Sequence, residues 1–322
     1  MDFLLRFASV TTPTTFTAWH LTDPHVDPYY VVGSNANGCS CETAKSCPRI
    51  GAKCGVILSN DSHRAAPFGN SEGNCATPQS LYSSVVNFMA KTAPNATSVY
   101  FTGDFAEAGA PYPCAPGDSG QTQLLDIINW DYATLNAAFA GTPGTSPAVF
   151  GCLGNHDSSP GDIYLGTEAM QWLYANLSAS WSPFLSVAAQ ATMQYGGWYA
   201  TRPAATPGLV VVALNVNYWV NQNPTAKMNG SAAWLMGQAQ FEWLNATLLD
   251  AEARGEKVHL LGHQPPLSPS WDGSVATVWV PGNWPRMANL MARFADTITV
   301  ALFGQCVTSP SLLLSISPST SR

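Results

Sequence analysis

The stretch AVFGCLGNHD, residues 148–157, passes from a strand to a cluster of polar groups. Ala148, Val149 and Phe150 read as a buried strand that Gly154 stops. An amide, an imidazole and a carboxylate then follow in succession as Asn155, His156 and Asp157. Polar groups at the end of a buried strand must be solvated, hydrogen-bonded or bound to something. Gly-Asn alone would read as a turn. The other strand ends of the chain decide between a turn and a site.

Runs of strand length and β-branched or aromatic character recur at 17–21, 98–102, 147–153, 209–214, 257–261 and 298–303. Between them lie helical patterns. Residues 79–92 set Leu81, Val85, Phe88 and Met89 on one face, and residues 121–140 set Leu124, Leu125, Ile128, Leu135 and Phe139 on another. Residues 236–254 carry Phe241, Leu244, Leu248 and Leu249 in the same way. Strands alternating with helices predict an α/β domain with a largely parallel sheet. His20 and His259 fall within strands and read as structural.

Four of the strands end alike. Thr22-Asp23-Pro24-His25 follows the first, Gly103-Asp104 the second, Gly154-Asn155-His156-Asp157 the third and Gly262-His263 the fifth. Residues just beyond the carboxyl ends of strands in an open α/β sheet converge on one crevice. Each has a bland reading alone: His25 or His263 as a hydrogen-bonded structural histidine, Asp104 as a loop cap, Asn155 as a turn residue. Together, in this order, they define a candidate metal site of Asp23, His25, Asp104, Asn155 and His263. Carboxylate, imidazole and neutral amide oxygen suit Zn²⁺ or a similar first-row ion and not Ca²⁺. One carboxylate can bridge two ions about 3.5–4 Å apart, a spacing that clamps the attacking and leaving oxygens of an in-line displacement at phosphorus. Asp104 is the candidate bridge. His156, beside a metal ligand, is placed as a general acid.

The chain has 322 residues, of which only 10% are charged, with 24 prolines, 26 glycines and a net charge of −7. Its 13 basic residues form no cluster, which argues against a phosphate-tracking nucleic-acid face. Five of the eight cysteines, Cys39, Cys41, Cys47, Cys54 and Cys75, fall in one Gly/Asn/Ser-rich segment. Their spacing fits a zinc knuckle poorly and a disulfide-stapled loop better, which implies an oxidising compartment. The odd partner is Cys114 or a free thiol. Five Asn-x-Ser/Thr sequons, at Asn60, Asn95, Asn176, Asn229 and Asn245, agree with a secreted glycoprotein. Residues 1–16 lack the charged and apolar regions of a signal peptide, and no apolar run approaches the roughly 18 residues of a membrane span.

Asp23-x-His25, Gly103-Asp104, Gly154-Asn155-His156-Asp157 and Gly262-His263 resemble the calcineurin-like metallophosphoesterases. WHLTDPHVDPYY (19–30), the cysteine-rich segment 39–75, LGNHDSSP (153–160) and GHQPP (262–266) are similar, more narrowly, to the acid sphingomyelinase family. The likeness spans about residues 17–304, after an N-terminal extension 1–16 that holds no saposin domain. It implies the metallophosphoesterase fold, central β-sheets flanked by helices in four α/β/β/α layers. It implies two Zn²⁺ ions, the first on Asp23, His25 and Asp104, the second on Asp104, Asn155 and His263. A metal-bound hydroxide would attack phosphorus while His156 protonates the leaving alkoxide. The substrate would be sphingomyelin, cleaved to ceramide and phosphocholine, or another phosphodiester, and the enzyme a secreted or lysosome-type monomer.

The chain also departs from that family. Where the family carries Gly-His-x-His after its last core strand, this sequence has Gly304-Gln305-Cys306-Val307, and Ala108 stands where many members have a histidine. Each ion is then expected to be one protein ligand short, and catalysis crippled. The Ser/Pro/Thr-rich tail 305–322 reads as disordered, from intron read-through or a frameshift that truncates the C-terminal part. The alternatives are an inactive glycoprotein that keeps the fold and a nucleotide phosphodiesterase.

Overall fold

Two sheets carry the four polar strand ends. The computed structural model of the chain describes residues 16–36, 41–42, 63–70, 75–92, 96–106, 120–139, 148–269, 275–305 and 313–314. The first half contributes β1 (Ala18–Leu21), β2 (Val26–Asp27), β3 (Thr77–Pro78), α1 (Gln79–Thr92), β4 (Ser98–Phe101), α2 (Gln121–Ala138) and β5 (Ala148–Gly151). Next come α3 (Gln171–Ser180), α4 (Val187–Gly196), β6 (Tyr199–Thr201), β7 (Leu209–Ala213) and α5 (Ala232–Ala253). The last are β8 (Lys257–Gly262), β9 (Leu267–Pro269), β10 (Val275–Thr277), α6 (Asn283–Arg293), β11 (Ile298–Phe303) and β12 (Leu313–Leu314).

One sheet has the order β1-β4-β5, all parallel. The other has the order β12-β11-β8-β7-β6; β11, β8 and β7 run parallel, and the edge strands β6 and β12 run antiparallel. The residue pattern by itself predicted one largely parallel sheet. The split into two is closed by side chains that reach across. Tyr100 of β4 shares a 2.7 Å hydrogen bond with His259 Nδ1 of β8, and Tyr199 of β6 donates to the Gly151 carbonyl of β5 at 2.8 Å. Helices pack outside this pair: Tyr132 of α2 donates to the Val149 carbonyl, and α5 lies on β8. These are the central sheets with flanking helices that the resemblance implies.

Strands covered on both faces need an unbroken apolar run, and β7 (LVVVA) is buried throughout. Each fully buried valine there contributes roughly 1.5–3 kcal/mol relative to exposure. Helices α4 and α5 start where Ser186 and Ser231 accept from the Ala189 and Trp234 N–H groups, at 3.2 and 3.1 Å.

The helix faces differ from expectation at two places. In α1 the buried residues are Tyr82, Val86 and Met89, while Val85 and Phe88 face out at 38% and 62% exposure. Tyr82 takes the inward position because its hydroxyl finds a buried partner, the Asp131 carbonyl, 3.1 Å away. The face turns by one residue. In α5, Leu249 is exposed, and Gln240 fills an inward position where its side chain bonds both backbone groups of Asn215. His20 and His259, read as structural, bond Thr102 and Tyr100. Burial lowers the pKa of both, that of His259 to about 4.

The cysteine-rich segment is stapled by one disulfide among the described residues, Cys41–Cys75. Cys39, Cys47, Cys54, Cys114 and Cys306 lie outside the described residues, as do Asn60, Asn95, Ala108, Val307 and residues 1–15. No described helix is long and apolar enough to cross a membrane.

Candidate metal centre

Three loops are sewn together before any side chain reaches the centre. The Asp23, His25 and Val26 N–H groups donate to the Gly103, Asp104 and Phe105 carbonyls at 3.0, 3.1 and 2.8 Å. That ladder binds the loop after β1 to the loop after β4. Asp157, fully buried, binds the loop after β4 to the loop after β5. Its Oδ2 accepts from the Asp104 and Gly154 N–H groups at 2.9 and 2.7 Å, and its Oδ1 from Phe105 N–H at 2.8 Å. Burial, then the charge of Asp104, raises the pKa of Asp157, against these donors.

The loops approach so closely that side chains must be absent. A Cβ on Gly154 would lie 2.1 Å from Asp104 Oδ1, and one on Gly304 would lie 2.2 Å from Thr22 Oγ1. The chain also turns left-handed at the site, with φ of 51° at Asp23, 45° at His25, 56° at Asp104 and 51° at Gln305. Such conformations cost about 1–3 kcal/mol each outside glycine and persist only where the surroundings over-determine them. Here the inter-loop hydrogen bonds do so.

A first prediction concerns Asp157, which sequence reading passed over as part of the motif. Asp157→Ala leaves three buried N–H groups without partners, at about 1–3 kcal/mol each. Urea unfolding should therefore show a loss of about 3 kcal/mol or more. A loss below about 1 kcal/mol would show that water replaces the carboxylate without cost.

The side chains converge with their lone pairs. His263 Nδ1 is 2.7 Å from the Thr102 carbonyl, which can only accept, so Nδ1 carries the hydrogen. His263 Nε2 then faces Asp104 Oδ2 at 3.1 Å and Asn155 Oδ1 at 2.9 Å. His25 repeats the arrangement: Nδ1 donates to the Ala106 carbonyl at 2.9 Å, and Nε2 faces Asp104 Oδ2 at 3.6 Å and Asp23 Oδ1 at 4.0 Å. Two imidazole lone pairs thus meet oxygens that have none but lone pairs to offer. Only a proton or a cation satisfies such a cluster, and a divalent metal fits the donor set. Ligand atoms of Asp23, Asp104 and His263 all lie within 4.8 Å of one another.

The structure thus brings Asp23, His25, Asp104, Asn155 and His263 to one place. His156 stands at its edge: its N–H donates to Asp104 Oδ1 at 2.9 Å, and its half-buried ring lies 5.4 Å from that of His25. Asp23 Oδ2 accepts from the Thr22 hydroxyl and, at 2.9 Å, from the Gln305 N–H. Gln305 Oε1 is buried without a hydrogen-bond partner. Sequence reading missed the carbonyls of Thr102 and Ala106, because backbone groups leave no mark in a motif.

Burial opposes ionisation of Asp104, yet His263, His25 and His156 hold its carboxyl well below the usual range. Burial likewise disfavours charge on His263, and Asp104 overrides it and raises the imidazole pKa to about 9. In the metal-free protein a proton on His263 therefore stands in for the cation. Below pH 9 that proton must leave before Nε2 can bind a metal. Affinity for the metal that His263 would ligate should rise with pH, by about tenfold per unit between pH 6 and 8, with one proton released from His263 as it binds. Calorimetry in buffers of different ionisation enthalpy reads that proton, and a pH-independent affinity would contradict the assignment.

Residues 16–283 match the calcineurin-like phosphoesterase family, and the chain belongs to it. Within that family it is similar to sphingomyelin phosphodiesterase of Homo sapiens, 29% identical over 88% of this chain and 40% of the relative. It is similar also to cyclic GMP-AMP phosphodiesterase of Homo sapiens, 28% identical over 77% of this chain and 47% of the relative. Sphingomyelinase phosphodiesterase C of Dictyostelium discoideum is 28% identical over 77% and 48%. The resemblance to acid sphingomyelinases read from the motifs is supported by these relatives. The chain spans less than half the length of each of them.

Proposed function

We infer that the chain hydrolyses phosphodiesters with divalent metal ions, most simply two Zn²⁺ ions sharing Asp104. The observation that carries this reading is the convergence of the His25 and His263 Nε2 atoms on one carboxylate oxygen, Asp104 Oδ2. Asp23 and His25 would hold one ion, Asn155 and His263 the other. Bound there, the ions would polarise the phosphoryl oxygens and lower the pKa of an attacking water.

The chain's own residues do the rest. Thr102 and Ala106 fix the two imidazoles with Nε2 inward, so neither ring reorganises as charge develops. Asp157 holds the loop that carries Asn155 and His156 against the loop that carries Asp104. His156, at the rim, donates a proton to the departing alkoxide. Gln305 takes the place where the family resemblance expects a histidine; its amide oxygen is a weaker zinc ligand than imidazole. Metal affinity and turnover are accordingly low, which also keeps an inactive relative of the same fold in view.

Sphingomyelin and cyclic dinucleotides are the substrates that the relatives' names suggest. The Cys41–Cys75 disulfide supports a secreted or lysosome-type location. A panel of sphingomyelin, a cyclic dinucleotide and bis-nitrophenyl phosphate, with zinc supplied in excess, tests the reading. It predicts chelator-sensitive cleavage of at least one diester. No cleavage of any of them would leave the inactive form.

A further inference from the structure

We propose that Asp162 is a positioning residue that sets which end of the Asn155 amide faces the metal centre. This rests on the reading that Asn155 supplies a metal ligand. An asparagine offers an oxygen at one end and an NH₂ group at the other, and the two ends have nearly the same shape. Only the oxygen can bind a cation. In the structure Asn155 Oδ1 faces His263 Nε2 at 2.9 Å, while Nδ2 donates to Asp162 Oδ1 at 2.9 Å.

A metal can bind His263 only through a lone pair at Nε2, and without Asp162 that same lone pair would favour the opposite orientation of the amide. His263 Nδ1 is committed to the Thr102 carbonyl, so a neutral His263 presents a lone pair at Nε2. An NH₂ group turned towards it would make a good hydrogen bond and close the ligand position. A carboxylate has no donor and accepts only, so Asp162 demands the NH₂ group for itself. The oxygen is left facing the centre before any ion arrives.

Asp162 is built into that role. Its own N–H donates to the Asn155 carbonyl at 2.8 Å, so the two residues are joined through both backbone and side chain. Its φ of 64° places it in the left-handed region, a conformation a non-glycine residue adopts when its contacts enforce it. Asn155 is buried, so no bulk water competes for the amide. In the sequence Asp162 lies seven positions beyond Asn155, past a proline, where no spacing rule marks it.

The test is Zn²⁺ affinity of the 322-residue chain, read by competition with a chromophoric chelator, with melting temperatures to confirm folding. Asp162→Ala should weaken one ion by about 10–100-fold, the usual scale for a partner of a metal ligand, and leave the other nearly unchanged. Asp162→Asn, which can still accept from Nδ2 but can also turn, should fall between Asp162→Ala and the parent, and serves if the alanine variant does not fold. A second background separates orientation from mere packing. Asn155→Asp presents an oxygen at both ends, so its orientation no longer matters, and it sets a like charge against Asp162. In that background Asp162→Ala should cost nothing or tighten Zn²⁺ binding. An equal loss in both backgrounds, or no loss in the parent, would overturn the proposal. Failure of the parent chain to bind Zn²⁺ at all would overturn the metal reading itself, and that result is seen before any variant is made.

Discussion

Asp104→Asn is expected to fold normally and to hold no metal. The two oxygens of Asp104 have separate duties. Oδ1 accepts from the His156 N–H at 2.9 Å, and Oδ2 faces His263 and His25 at 3.1 and 3.6 Å. In the variant the amide oxygen keeps the His156 contact, so the NH₂ group replaces Oδ2. That group cannot ligate a cation, and it donates to the lone pair of His263 instead. The bridging position is filled by a hydrogen bond, and both ions lose a ligand together. Zinc content should fall to background and the melting temperature should drop, since the buried pair of Asp104 and His263 loses one partner. Undiminished zinc in Asp104→Asn would refute the bridge. Asp104→Ala should lose the metal as well, with a stability loss from the unpaired His156 N–H.

For His156 the expected result is the reverse. His156→Ala should keep its metal, because the ring stands at the edge of the centre, outside the Asp23, Asp104 and His263 group, and lose about 10²–10⁴ in rate, the scale of general acid–base catalysis. The loss depends on the leaving group. An alkoxide needs a proton as it departs; a nitrophenolate needs almost none. The variant should therefore be far closer to the parent on bis-nitrophenyl phosphate than on an alkyl diester. Equal losses on the two substrates would exclude the proton-donor role, and loss of zinc would show His156 to be a ligand.

The strand ends were legible because three signals coincide at each: an apolar run, a stop and a polar residue that a stop does not need. Asp23-x-His25, Asp104, Asn155-His156 and His263 stand out for that reason. The division into two sheets was not legible, since it depends on Tyr100 and Tyr199 bonding across the gap, 159 and 48 residues away in sequence. The register of α1 was misread because Tyr82 counts as polar in a pattern but is buried once its hydroxyl is satisfied. Asp157 and Asp162 escaped for a related reason. Both act on other residues' backbone or amide groups, which no spacing rule marks: Asp157 reaches Asp104 and Phe105 across 53 and 52 residues, and Asp162 reaches Asn155 across seven. Gln305 was legible as a departure, whereas its N–H bond to Asp23 needed the fold.

The central claim is that four strand ends hold metal ions around Asp104, and anomalous diffraction at the zinc edge from crystals of the zinc-soaked chain tests it most directly. Two peaks flanking the Asp104 carboxylate are predicted, one beside Asp23 and His25 and the other beside Asn155 and His263. Peaks only elsewhere on the molecule, or none at a zinc concentration well above saturation, would contradict it.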